Sequence, residues 1–141
     1  MNSVNPIIQD FFEKFEKGIN ALDVDLISSL YADAFMFGGS QGVQSVKKED
    51  FLKMLPKRQG FFATVGLKST KLTSFDEIKL DDSYTIIKTT WMMHYEKDAK
   101  PPIDNETSAT YILYSQNSSL QIVMQIDHQD LMRRVKELGL L

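Results

Sequence analysis

The sequence contains no cysteine among its 141 residues, which excludes disulfide bonds, thiolate nucleophiles and cysteine-ligated metals. Its only two histidines, His94 and His128, form no HExxH pattern or cluster, so we expect neither a protein-held metal nor a cofactor. No apolar run approaches the ~20 residues that span a bilayer, so we expect no membrane association. A basic segment followed by an apolar one, as in secretory signals, is also missing from the first residues, which favours a cytoplasmic protein.

An excess of basic charge is also missing. Lysine and arginine together number 16 against 19 aspartates and glutamates, for a formal net charge of −3. Nucleic-acid-binding proteins generally present a basic face to the phosphates, so we expect no nucleic-acid partner. The length and the ordinary hydrophobic content of 43% suit a single domain over residues 1–141.

The first half of the chain has the periodicity of helices. Asn5 followed by Pro6 is a typical helix start, and Asp23 and Ser45 are candidate caps for a second and a third helix. Pro56 is expected to break or kink the third. Residues 31–42 predict a short strand closed by a glycine-rich turn. The apolar positions of the first helix recur at helical spacing: Ile8, Phe11, Phe12, Phe15, Ile19 and Leu22.

The second half changes to the period of strands. Four segments rich in threonine, isoleucine and aromatic residues are separated by turn-forming residues. A last helix is predicted from Asp130, with Asp127 or Asp130 as its cap and Gly139 at its end. Helices followed by antiparallel hairpins predict an α+β fold. The four segments are residues 66–80, 83–96, 107–115 and 120–128.

One of these strands is apolar on both faces. Ile87 and Trp91 alternate with Ile86 and Met92, whereas a strand with one wet face alternates apolar with polar residues. We therefore expect helices to cover one face and a second subunit the other. The prediction is a homodimer through the outer face of the sheet, near Met92 and His94.

The element order and the segment LYADAF, residues 30–35, resemble the nuclear transport factor 2-like superfamily, which includes the SnoaL-type cyclases and ketosteroid isomerases. LYADAF is similar to the MYADDA segment of the ketosteroid isomerases. The resemblance covers nearly the whole chain and implies a cone-shaped α+β fold, with N-terminal helices packed on a curved, mostly antiparallel sheet around an apolar pocket. It does not by itself give a function.

The same resemblance shows which isomerase residues are missing. The place of their catalytic carboxylate falls nearest Gly38, and that of their first tyrosine donor falls on Phe15. The place of their protonated aspartate falls on Tyr111, which still carries a hydroxyl. Without the general base, the steroid isomerisation of that family is not expected.

His128 is the strongest catalytic candidate from sequence, because an imidazole at a strand end can act as acid or base near neutral pH. The same ungapped resemblance to the isomerases implies that His128 lies on the pocket face with Tyr111. Asp127 is then expected on the opposite face, because successive strand residues point to opposite faces. The alternative is that His128 only bridges the last strand to the closing helix. Residues expected to line the pocket, or simply to pack as core, are Phe15, Trp91, Met93, Tyr95, Ala109, Leu113, Met124 and Ile126.

Two functions remain open from sequence. One is a cofactor-independent lyase or isomerase for a small apolar molecule, in which His128 moves a proton and Tyr111 donates to an oxyanion. The other is a non-catalytic domain for small-ligand binding or dimerisation, with the pocket filled by side chains. A cavity that touches both His128 and Tyr111 would favour the enzyme.

Overall fold

The computed structural model describes residues 5–141 and builds them from four helices and one six-stranded sheet. The strand order is β2-β1-β6-β5-β4-β3; β1 and β6 run parallel and all other neighbours run antiparallel. The α+β prediction is confirmed. The elements are α1 (Pro6–Ala21), α2 (Val24–Leu30), β1 (Tyr31–Gly39), β2 (Gly42–Lys47), α3 (Lys48–Thr64), β3 (Leu67–Lys79), β4 (Tyr84–Tyr95), β5 (Ile103–Gln116), β6 (Ser119–Asp127) and α4 (Leu131–Glu137).

Three helices begin at caps that the sequence predicts. Asn5, Asp23 and Asp130 each accept, through a side-chain oxygen, a backbone N–H from the first turn of the helix that follows. These bonds satisfy N–H groups that have no partner inside a helix. At the other end of α4, Gly139 has a φ of 74°, the left-handed conformation that ends many helices.

The predicted start of the third helix is wrong, and Pro56 does not break the helix. Ser45 lies in β2, opposite Met36 of β1, because the chain after the glycine-rich turn completes a hairpin. The helix begins at Lys48, whose ammonium group donates to the carbonyls of Ser28 and Tyr31. The helix then continues through Pro56 to Thr64.

The helices cover one face of the sheet, the inner face, and bury two apolar clusters there. The larger cluster joins α1 and α2 to the middle of the sheet, with Phe12 and Leu113 fully buried. The smaller cluster joins the end of α3 and α4 to the ends of β4 and β5, with Val135 and Leu140 buried. The opposite side, the outer face, carries no helix among residues 5–141.

A bulge in β6 decides which of its side chains face the helices. Leu113 of β5 pairs with Ile122, but its neighbour Ile112 pairs with Met124, so Val123 is an extra residue. An extra residue reverses the alternation of every side chain that follows it. Gln125 therefore shares the inner face with Tyr111, its partner on β5.

The predicted orientation of the last strand is wrong for this reason. Met124, Ile126 and His128 lie on the outer face, and Asp127 lies on the inner one. Counting by two through Val123 gave the opposite result, since the bulge adds one residue to the count.

Candidate functional site

His128 and Tyr111 lie on opposite faces of the sheet, so the predicted common pocket does not form. His128 is exposed, and its Nε2 shares a 2.7 Å hydrogen bond with the Thr110 hydroxyl. Thr110 precedes Tyr111 on β5, and successive strand residues point to opposite faces. The hydrogen bond of the His128 side chain goes to β5, and a bridge from His128 to the last helix stays a prediction.

The surroundings of His128 are polar. A shallow groove of about 400 Å³ lies beside it, between the β1–β2 turn and α4. Its lining contains acidic, basic and amide side chains and no large apolar one, which does not suit an apolar substrate. The lining residues are Ser40, Gln41, His128, Gln129, Asp130, Arg133 and Glu137.

The predicted wall residues of the inner face are buried, but they divide between the two apolar clusters. Phe15, Trp91 and Tyr111 meet in the larger cluster, with ring centroids 5.5 Å apart for Phe15–Tyr111 and 5.6 Å for Phe15–Trp91. Ala109 and Leu113 belong to the same cluster, whereas Met93 and Tyr95 belong to the smaller one beneath α4. At these ring spacings the aromatic side chains pack against one another.

Polar groups stand on the inner face beside the larger cluster. The hydroxyl of Tyr31 donates to Gln125 Oε1 at 2.5 Å, and Gln125 Nε2 donates to Asp127 Oδ1 at 3.1 Å. Tyr31 and Gln125 are buried, and Asp127 is half-buried. Sequence reasoning missed Gln125 and Asp127 as inner residues, because only the bulge turns them inward.

Tyr111 lies beside Gln125 on the neighbouring strand but, unlike Tyr31, donates no hydrogen bond to it. Within residues 5–141 its hydroxyl has no hydrogen-bond partner, and since no buried side-chain oxygen there is left unpaired, the hydroxyl itself keeps contact with solvent at the end of a side chain that is 3% exposed. Burial raises the pKa of Tyr111 well above its ordinary value; the charges of Tyr31 and Asp127 raise it further and Arg58 lowers it. Tyr111 is therefore a neutral hydrogen-bond donor, on the same face as the carboxylate of Asp127.

His94 lies on the outer face, where sequence alternation places it. Its Nδ1 is 2.6 Å from Asp104 Oδ1 and its Nε2 is 3.1 Å from Glu96 Oε2. The hydrogen bond with Asp104 is the largest cause that raises the pKa of His94; a smaller desolvation effect lowers it, and Glu96 raises it further. The imidazole is thus held by two carboxylates at one end of the outer face.

Two features are absent from residues 5–141. No three histidine or acidic side chains are grouped so that they could hold a metal ion. No helix combines the length and the apolar character needed to cross a membrane.

The fold is the same as that of solved proteins with very different sequences. A protein of unknown function from Shewanella oneidensis, named as nuclear transport factor 2-like, is 15% identical and superimposes with a TM-score of 0.70, over 87% of this chain and 97% of that one. The chain has the nuclear transport factor 2-like fold. A second protein with this fold, from Novosphingobium aromaticivorans and also described as cystatin-like, is 8% identical with a TM-score of 0.69, over 91% and 85% of the two chains.

A third structure with the nuclear transport factor 2-like fold is named as a putative calcium/calmodulin-dependent protein kinase II association domain, from Xanthomonas campestris. It is 12% identical, with a TM-score of 0.67 over 90% of this chain and 88% of that one. No protein-family model and no curated protein matches the sequence. At these identities the comparisons establish the fold, and function has to be argued from the residues.

Replacing Gln125 with alanine removes the acceptor of a buried hydroxyl, so we expect the free energy of unfolding to fall by about 1–3 kcal/mol. In a Tyr31→Phe background the same change should cost less, because no hydroxyl is then left unpaired. Urea unfolding of the two single variants and the double variant measures this difference. Gln121→Ala, on the outer face of β6, is the matched control. An equal cost in both backgrounds would contradict a contribution from this bond.

His94 should titrate above the ordinary histidine value of 6.5, because its partners stabilise the imidazolium. A pKa raised by folding stabilises the protein below pH 6.5, and that stabilisation is lost as pH rises through the raised value. The effect on stability should be small at so exposed a site. NMR titration of the imidazole protons checks the pKa, and Asp104→Asn should bring it back towards 6.5. A midpoint at or below 6.5 in the unmodified protein would contradict this assignment.

Proposed function

We propose that this chain is a non-catalytic homodimerisation domain, in which two copies pack the outer faces of their sheets together. The observation that carries the proposal is an apolar row that crosses five strands of that face. Paired residues continue the row from one strand to the next. Its members are Ile78, Ile86, Ile112, Met124 and Met36.

The row is exposed to solvent in the single chain. Ile78 is 44% exposed and Met36 is 40% exposed at its two ends, and the three residues between them are half-buried. One step further along β4 and β5, the rings of Tyr84 and Tyr114 lie 5.2 Å apart and extend the apolar surface. A contiguous apolar patch of this kind is typical of a protein–protein interface.

A second copy of the same chain is the partner that the row fits. In a two-fold dimer the same patch meets itself, so a patch without charge is compatible with itself. The row itself contains no charged residue. Asp76 and Lys88 lie opposite each other on β3 and β4 at its border, and the other charged residues of β4 and β5 on this face stand further away, around His94, Asp104 and Glu106. We therefore centre the interface on Ile86 and Ile112, several residues away from Met92 and His94, where the strand pattern alone had placed it.

The inner face supports the non-catalytic part of the proposal. Phe12 and Phe15 of α1 lie against Tyr111 with ring centroids 5.3 and 5.5 Å apart, so side chains occupy the space where an apolar substrate was expected. The predicted acid–base pair is also divided between the two faces of the sheet. The name of the Xanthomonas campestris protein describes an association domain, which is consistent with assembly as a role for this fold.

The change Ile112→Glu places a charge in the middle of the row, and burial of an unpaired charge at an interface is costly. We expect the purified protein to sediment as a dimer of the 16.1 kDa chain and the variant to sediment as a monomer with unchanged circular dichroism. Ile7→Glu is the matched control, since Ile7 is an equally apolar residue that is 63% exposed on α1. A monomeric parent protein at micromolar concentration, or a dimer that tolerates Ile112→Glu, would refute the interface.

The unpartnered Tyr111 hydroxyl favours a second candidate function. We infer that a small neutral carbonyl compound binds at the inner face by displacing the rings of Phe12 and Phe15 from Tyr111. Tyr111 then donates a hydrogen bond to its oxygen and Asp127 removes a proton from the adjacent carbon. Desolvation keeps Tyr111 protonated, as such a donor requires. His128 has no part in this site.

Proton exchange tests this candidate directly. The protein should catalyse deuterium exchange at the α-carbon of small ketones in deuterated buffer, followed by NMR, if the site is catalytic. Asp127→Asn should abolish the exchange, and Tyr111→Phe should raise the barrier by about 2.7–4 kcal/mol. His128→Ala should leave the rate unchanged. Absence of exchange above the buffer rate with a panel of such ketones would count against this second function and leave the dimer proposal standing.

A further inference from the structure

We propose that the polar groove between the β1–β2 turn and α4 binds a small zwitterion of the amino-acid type. The groove, named here the α4 groove, has a volume of about 400 Å³, which is within the range of small-molecule sites. It is separate from the apolar row and from Tyr111, since none of those residues lines it. The lining residues on which the inference rests are Gln129, Asp130, Arg133 and Glu137.

Arg133 brings to this groove a cation that has no partner. Its backbone N–H donates to Asp130 Oδ1 at 3.2 Å, but within residues 5–141 its guanidinium group forms no hydrogen bond or ion pair. The carboxylate of Glu137, one turn further along α4, is instead 3.9 Å from Arg134. A guanidinium group presents several N–H donors in one plane and can hold a carboxylate through two of them. Arg133 is therefore available for the carboxylate of a ligand.

A chain of hydrogen bonds holds the side chain of Gln129 at the wall of the groove. Arg134 Nε donates to Asn105 Oδ1 at 3.0 Å, and Asn105 Nδ2 donates to Gln129 Oε1 at 3.0 Å. Asn105 is only 3% exposed, so water competes little for these bonds. The carbonyl oxygen of the Gln129 amide is thus occupied, and its NH₂ group is left as a donor. A side chain that is already ordered loses little entropy when it binds a ligand.

Two carboxylates line the groove on the same face of α4 as Arg133. Asp130 precedes Arg133 by three positions and Glu137 follows it by four, and side chains at these spacings are neighbours on a helix. Asp130 uses Oδ1 for its cap, so its other oxygen is left to accept from a ligand. The carboxylates repel a simple anion, and Arg133 repels a simple cation. A ligand with an ammonium and a carboxylate group close together is attracted by both.

The remaining lining residues favour a ligand with a polar side chain. They are Ser40 and Gln41 of the β1–β2 turn and His128, directly after β6. Nε2 of His128 is already engaged with Thr110, so Nδ1 is the ring nitrogen left for a ligand. An apolar amino acid finds no large apolar side chain here, whereas the hydroxyl of serine can donate to and accept from these groups. L-Serine is therefore the probe of choice.

The test is an NMR titration of the isotope-labelled full chain with L-serine. The side-chain signals of Gln129 and Arg133 should shift in a saturable way at millimolar serine. Ethanolamine is serine without the carboxylate, and β-hydroxypropionate is serine without the ammonium group. Each should bind roughly tenfold more weakly or worse, because charged hydrogen bonds are lost. No saturable shift with serine, or equal binding of either fragment, would overturn the proposal.

Two variants separate the groove from general charge attraction. Arg133→Gln removes the free cation and should weaken serine binding by roughly tenfold, corresponding to about 1.4 kcal/mol. Lys136→Gln is the matched control, since Lys136 is an exposed basic residue of α4 that does not line the groove. An equal loss in both variants would show that serine responds only to net charge and would refute the site. The dimer variant Ile112→Glu should bind serine as the parent does, so failure of one proposal does not imply failure of the other.

Discussion

Val123 is an extra residue in β6, between the partners of Leu113 and Ile112 on β5. Strand side chains alternate with a period of two, so one inserted residue transfers every later side chain of the strand to the other face. After the bulge, Gln125 and Asp127 join the side covered by helices, whereas Met124 and Ile126 join the uncovered side. Both the inner polar groups and the outer apolar row follow from this single insertion.

The two faces of the sheet consequently differ in burial: the inner face packs against helices and the outer face contacts solvent. On the inner face, aromatic side chains of α1 pack on Tyr111 and Trp91, and the pair of Tyr31 and Gln125 satisfies buried polar atoms beside them. Burial of a polar group is tolerated when it is hydrogen-bonded, and no buried side-chain nitrogen or oxygen of residues 5–141 lacks a partner. On the outer face, the apolar row stays in contact with water in the isolated chain.

The edges of the sheet obey the same requirement that polar backbone groups find partners. Lys48 donates to two backbone carbonyls at the junction between α2 and β1. At the edge of β3, the amide nitrogen of Asn20 donates to the Thr70 carbonyl and its amide oxygen accepts the Thr70 N–H. Each is a side chain that acts where a neighbouring backbone is missing. Beyond Thr73, acidic side chains line a groove between β3 and α1.

The α+β class, the main strands and three of the four helix starts could be predicted from the amino-acid sequence, because they depend on local periodicity and on Asn5, Asp23 and Asp130, which cap their own neighbours. The direction in which β6 faces could not be predicted in this way, since the bulge is set by the register with β5 and β1 and leaves the local apolar pattern unchanged. His128 became an outer residue and Asp127 an inner one for that reason. The residues that meet on each face are determined by pairing between strands distant in sequence, and local periodicity does not predict that pairing.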